Sequence, residues 1–120
     1  MESWQGKWLK VRILYSRPGI AQQIWLNNEK GAILVDTGDG VVRDIISNRL
    51  PISQLKGIVI THGHFDHVGG LHSLLGFLRC TGKKGLLPIY AEFALLHTTW
   101  QLLRPLMICI PFLQHLPQIS

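Results

Sequence analysis

Residues 7–15 alternate, with Lys7, Leu9, Val11, Ile13 and Tyr15 on one parity and Trp8, Lys10, Arg12 and Leu14 on the other. A period of two, rich in β-branched and aromatic residues, predicts a strand. Ser16-Arg17-Pro18-Gly19 breaks it, because Pro and Gly together punctuate a chain. A second strand is expected over 21–26, followed by the turn-rich Asn27-Asn28-Glu29-Lys30-Gly31. The third, over 32–35, is apolar at every position, the pattern of a strand covered on both faces. These three strands read as a meander.

The pattern then changes. Asp36-Thr37-Gly38-Asp39-Gly40 is a polar, glycine-rich loop, after which Val41, Val42, Ile45, Ile46 and Leu50 fall near helical spacing. Asp39 stands near the start of that helix as a candidate cap, and Pro51 stops it. Residues 57–61 form a fourth apolar strand. A helix over 67–78 follows, with Val68, Leu71, Leu74, Leu75 and Leu78 on one wide apolar face. A loop over 79–85, a short strand over 87–90 and a helix over 91–103 complete the pattern, and 105–120 form an apolar tail without a clean period. Strands followed by strand–helix alternation define a layered α/β fold in a single domain, residues 1–120.

Charge and cysteine content narrow the setting. The chain carries 12 Lys+Arg against 7 Asp+Glu, and the excess is spread along it: 8 against 5 in residues 1–60 and 4 against 2 in residues 61–120. Such a balance suits anionic partners such as RNA or phosphate esters, but charge spread this thinly reads better as ordinary solubilising charge. The two cysteines, Cys80 and Cys109, exclude a disulfide framework and leave a single bridge open. The longest apolar run, 106–113, contains Pro111 and falls well short of the ~20 residues that span a bilayer. With no secretory signal at the start, the expected location is the cytoplasm, with no membrane partner.

The informative chemistry lies in Thr61-His62-Gly63-His64-Phe65-Asp66-His67. Three histidines and one aspartate at fixed positions arise by chance in a chain of this composition about 5 × 10⁻⁴ of the time, so the cluster demands an explanation. Imidazole nitrogen and carboxylate oxygen are the usual ligands of zinc, and manganese or iron is compatible with the same set. The cluster follows an apolar strand directly, which places it at the strand's C-terminal edge, where open α/β sheets bind ligands. In an extended loop His62 and His64 point to one side. Asp66 and His67 open the next helix, and Gly63, Gly69 and Gly70 permit tight turns there. His72, His97 and His115 read better as helix-surface or partly buried histidines than as ligands.

At these residues the chain resembles the metallo-β-lactamase superfamily, whose hallmark is the Thr-His-x-His-x-Asp-His strand, loop and helix found at 61–67. Ile33-Leu34-Val35-Asp36-Thr37-Gly38 resembles that superfamily's other N-terminal signature, a strand ending in Asp-x-Gly. The resemblance covers roughly 7–90. Gly69-Gly70-Leu71, Leu74-Leu75-Gly76, Gly82-Lys83-Lys84 and Pro88-Ile89-Tyr90 look most like the ribonuclease Z branch and its phosphodiesterase relatives. That branch usually carries Cys and Glu where this chain has Thr37 and Asp39.

The resemblance implies the N-terminal half of an αββα sandwich and a hydrolase that cleaves phosphodiesters, RNA included, with metal-activated water. By match, His62 and His64 would bind a first zinc ion and Asp66 and His67 a second. Asp66 would also orient the attacking water, and Asp36 would hold the ligand loop from beneath or serve as a turn cap. The superfamily's later ligands, a third histidine, a bridging aspartate and a last histidine, have no counterpart here, since no aspartate follows Asp66. The expectation is therefore a truncated chain, with weak metal binding, negligible turnover on its own, and self-association through the unfinished sandwich face. An inactive fragment or pseudo-enzyme, serving as a metal-binding or interaction module, is the alternative. A basic nucleic-acid module without catalysis ranks below both, because the sequence concentrates neither charge nor aromatic stacking residues.

Overall fold

In the computed structural model the described residues are 2–91, apart from 84 and 86. Six strands form one mixed sheet in chain order: β1 (Glu2–Gln5), β2 (Lys10–Arg17), β3 (Ala21–Asn28), β4 (Gly31–Val35), β5 (Leu55–Ile60) and β6 (Ile89–Ala91). The first four are antiparallel neighbours joined by short turns, while β4, β5 and β6 are mutually parallel. Parallel neighbours need crossovers. The first contains α1 (Val41–Ser47) and a 3₁₀ turn (Ile52–Gln54), and the second contains α2 (Phe65–Val68) and α3 (Leu71–Cys80).

The core lies on one face of this sheet. Trp25, Leu34, Ile58 and Ile89 stand side by side across β3 to β6, all buried. Val41 and Ile45 of α1 and Leu71, Leu74, Leu75 and Leu78 of α3 pack into the same cluster. The opposite face follows the other parity. There Ile24, Val35, Val59 and Tyr90 form the matching row, half-buried or exposed, with Leu26 and Ile33 beside it. The expectation that residues 32–35 are covered on both faces is thus corrected, since Ala32 and Leu34 are buried but Ile33 is 38% exposed. A continuous apolar run satisfies a one-sided core as readily as a two-sided one.

Other boundaries moved for local reasons. The strand expected over 7–15 begins at Lys10, and an unpredicted edge strand, β1, precedes it. A bulge between Ile13 and Tyr15 breaks the alternation at Leu14, which is buried in the core. The helix expected over 67–78 is two, α2 and α3, divided at Gly69-Gly70. Asp39 does not cap α1, which starts from a left-handed Gly40 with no side-chain cap. The helix expected over 91–103 and the tail at 105–120, with His97, Cys109 and His115, lie outside the described residues, apart from Ala91, which closes β6. Cys80 is a free, exposed thiol. No helix among the described residues is long and apolar enough to cross a membrane.

Candidate metal centre

Because β4 and β5 are parallel and Val35 pairs with Val59, the segments after both strands leave the sheet at the same edge. Asp36 follows β4 immediately and adopts a left-handed conformation, φ 64°, which Asp tolerates better than most residues. Its own N–H donates to the Val59 carbonyl at 2.7 Å. The carboxylate, 3% exposed, then reaches beneath the loop that leaves β5. It accepts from the Thr61 N–H at 2.7 Å, from Thr61 Oγ1 at 2.6 Å and from His67 Nδ1 at 2.7 Å. An ionised carboxylate only accepts, so the Nδ1 of His67 is held as the donor to Asp36 and Nε2 is the nitrogen left for a metal, as a lone pair when the imidazole is neutral.

His67 is clamped from its backbone as well. Its carbonyl accepts from the Thr37 N–H at 2.7 Å, while the Thr37 carbonyl accepts from the Gly70 N–H at 2.8 Å. Two glycines make this approach possible. A Cβ on Gly38 would stand 2.6 Å from the Asp66 carbonyl oxygen, the Gln22 nitrogen and Gln23 Oε1, and one on Gly70 would run into the Gly38 carbonyl. The glycine of Asp36-Thr37-Gly38 is therefore a packing requirement. Beside it Gln23 is fully buried on the core side of β3, where Nε2 donates to Asp44 Oδ2 at 2.7 Å.

Asp66 Oδ2 lies 3.6 Å from His67 Nε2 and accepts from the Gly19 N–H at 3.2 Å, so the β2–β3 turn steadies it. His62 and His64 are exposed, with ring centroids 4.0 Å apart and planes at 83°, edge to face, and the His62 ring is 5.2 Å from that of His67. The four expected ligands are thus neighbours, with Asp66 and His67 convergent. Among the described residues, however, no three His, Cys, Asp or Glu side chains form a group able to hold an ion. His72 is exposed on α3.

Three contributors have no role assigned from the sequence. Thr61 and Thr37 lie within the two signatures, yet it is the structure that shows the Thr61 amide and hydroxyl binding Asp36 and the Thr37 amide holding the His67 carbonyl. Gly19 belongs to a turn 47 positions from the carboxylate it contacts. Only the hydroxyl within the Thr-His-x-His motif offered a signal.

A mixed sheet with covering helices, and an aspartate binding a histidine-rich loop at its C-terminal edge, define an α/β protein with a candidate metal centre. The sequence pattern of the metallo-beta-lactamase superfamily matches residues 17–87, and the chain belongs to that superfamily. It is 39% identical to the ribonuclease Z of Prochlorococcus marinus (strain MIT 9312) over 62 residues, 52% of this chain and 20% of that one. In structure it is similar to human tRNase Z, short form, with a TM-score of 0.69 and 25% identity over 79% of this chain and 39% of that one. The metallo-beta-lactamase fold protein YhfI of Bacillus subtilis shares the fold, with a TM-score of 0.66 and 22% identity over 78% of this chain and 42% of that one. The chain spans about a fifth of the length of the curated relatives it matches.

Proposed function

We propose that the chain supplies the metal-binding and water-orienting part of a hydrolase that cleaves phosphodiesters, with RNA as the substrate class. The observation that carries this reading is the line from Asp36 through His67 to Asp66. Asp36 holds Nδ1, so Nε2 faces Asp66 Oδ2 across 3.6 Å. Two donors ~2.1 Å from one tetrahedral ion stand ~3.4 Å apart, so the pair fits a zinc ion in span and donor chemistry. A carboxylate behind a ligating imidazole fixes its tautomer and raises its basicity.

His62 and His64 would hold one ion and Asp66 and His67 a second, zinc being the preferred metal and manganese or iron compatible. Such an ion supplies hydroxide at neutral pH and polarises a phosphoryl oxygen. The chain's own part is orientation. Asp66, steadied by the Gly19 N–H, aims a water through its carboxylate, and Asp36 keeps His67 from turning away. Resemblance to ribonuclease Z supports RNA as the substrate class. A second reading, a weak metal-binding module without catalysis, is favoured by the lack of any three-donor group among the described residues.

The test measures zinc affinity by chelator competition, together with cleavage of a chromogenic phosphodiester and a precursor-tRNA-like RNA. Zinc binding lost in the His62→Ala, His64→Ala double variant is expected, and binding that survives it overturns the assignment. Zinc-dependent cleavage abolished by Asp66→Ala supports the hydrolase and overturns the expectation that a truncated chain turns over negligibly on its own. Motif-dependent zinc without cleavage selects the second reading.

A further inference from the structure

The end of the sheet opposite the histidine loop carries a recess of about 440 Å³ between the β1–β2 connection and the β3–β4 turn. Lys7, Lys10 and Lys30 line it with Trp8, Asn27 and the single acidic residue Glu29. These lysines are scattered in sequence and brought together by pairing: Lys10 stands opposite Asn27, and Asn27 and Asn28 lead into the turn that bears Lys30. Trp8 is 77% exposed, and Lys7 Nζ sits 4.9 Å from its ring centroid, a cation–π contact that orients the indole. Asn27 Oδ1 is shielded from solvent without a hydrogen-bond partner. The lining therefore combines net positive charge and an open aromatic face.

We propose that this recess binds single-stranded nucleic acid, with the three ammonium groups on the phosphate backbone and a base stacked on Trp8. An exposed indole among lysines is the pairing that sequence-tolerant single-strand binders use. A volume of 440 Å³ falls within the range that encloses a small ligand, and so admits a nucleotide. An acidic peptide would match the charge but leaves the indole face without a role. Gly31 and Val35 bound β4 at its two ends, so the recess lies about 13 Å of strand from the Asp36 loop. The assignment goes beyond the hydrolase reading and does not depend on it.

The test is fluorescence anisotropy of the full chain with a labelled 12-mer of oligouridine at 50 and 200 mM salt. Neutralising three phosphates gives a single-strand salt slope near −2, so a fourfold rise in salt is expected to weaken binding about twentyfold. Lys7→Gln, Lys10→Gln and Lys30→Gln combined should abolish both the binding and its salt dependence. Trp8→Ala, an exposed change that should leave the thermal transition in place, should weaken binding about fivefold or more. The His62→Ala, His64→Ala variant should bind as the unaltered chain does, which separates this surface from the metal centre. Equal binding by the triple-lysine variant, no binding at 50 mM salt, or preferential binding of a polyglutamate 12-mer overturns the proposal.

Discussion

Replacing Asp36 with asparagine and with alanine separates two duties of one carboxylate. In Asp36→Ala three hydrogen bonds to a charged acceptor disappear: those from the Thr61 N–H, Thr61 Oγ1 and His67 Nδ1. At ~1.5 kcal/mol each, the low end for charged partners, their loss costs ~4–5 kcal/mol. Alanine in the left-handed region adds ~1 kcal/mol. The sum of ~5–6 kcal/mol approaches the whole stability of a small domain, so Asp36→Ala should be largely unfolded or melt far lower.

Asp36→Asn should behave differently. Asparagine tolerates φ 64°, and its oxygen can still accept from Thr61 N–H. Its NH₂ group replaces the oxygen that faces Thr61 Oγ1 at 2.6 Å and His67 Nδ1 at 2.7 Å, turning both former donors into acceptors. The hydroxyl can rotate, but His67 must move its proton to Nε2. The expected cost is ~1–2 kcal/mol in stability, with a 10- to 100-fold loss of zinc affinity, because Nε2 no longer offers a lone pair. Thermal and urea melts measure the first, chelator competition the second, and long-range ¹H–¹⁵N correlation spectra report the tautomer. Undiminished zinc affinity in Asp36→Asn with the proton still on Nδ1 would refute the reasoning.

Gly38→Ala should destabilise by ~1–3 kcal/mol, read from the melting temperature, because three atoms at 2.6 Å leave its Cβ no room. Ile33→Lys, on the half-exposed face of the sheet, should reduce self-association in sedimentation velocity with little change in stability; an unaltered distribution would exclude that face as the contact. Burial, and then the charge of Lys56, hold the Lys83 ammonium below its ordinary value of 10.5. The fold thus disfavours the charged form below the lowered pKa, and the penalty fades as pH rises through it towards 10.5. Most of the Lys83 side chain is solvated and screened, so Lys83→Gln should gain only slightly at pH 7, and that gain should close above the lowered pKa in melts taken across pH.

The strands and α3 were legible because their apolar residues keep a period: Leu71, Leu74, Leu75 and Leu78 recur at helical spacing and are all buried. The bulge at Leu14 was not, because alternation carries no mark of an inserted residue. Edge strand β1 escaped for a related reason. Its residues are all exposed, so no burial pattern shaped them. At the site, the histidine cluster stood out as a candidate because its residues are local in sequence, and Asp36 because it follows a strand in a recognisable signature. The bond from Gly19 to Asp66 joins residues 47 positions apart through a backbone amide, which every residue but proline possesses. The basic recess was hidden likewise, since Lys7, Lys10 and Lys30 become neighbours only once β2 and β3 pair.

These contacts divide the histidine loop into a half the sheet sets and a half it leaves open. His67 is fixed at its ring by Asp36 and at its carbonyl by Thr37, and Asp66 is steadied by Gly19. Their anchors belong to the end of β4 and the β2–β3 turn, so their direction follows from folding. His62 and His64 project into solvent, and meet edge to face. On the proposed reading, an ion at Asp66 and His67 would meet side chains whose direction is already set, and little ordering entropy would be lost there. At His62 and His64 it would have to order the side chains on binding, at ~0.5–1.5 kcal/mol for each. Substitutions should divide along the same line: His64→Ala weakens metal binding and leaves the melt unchanged, whereas changes at His67 move both.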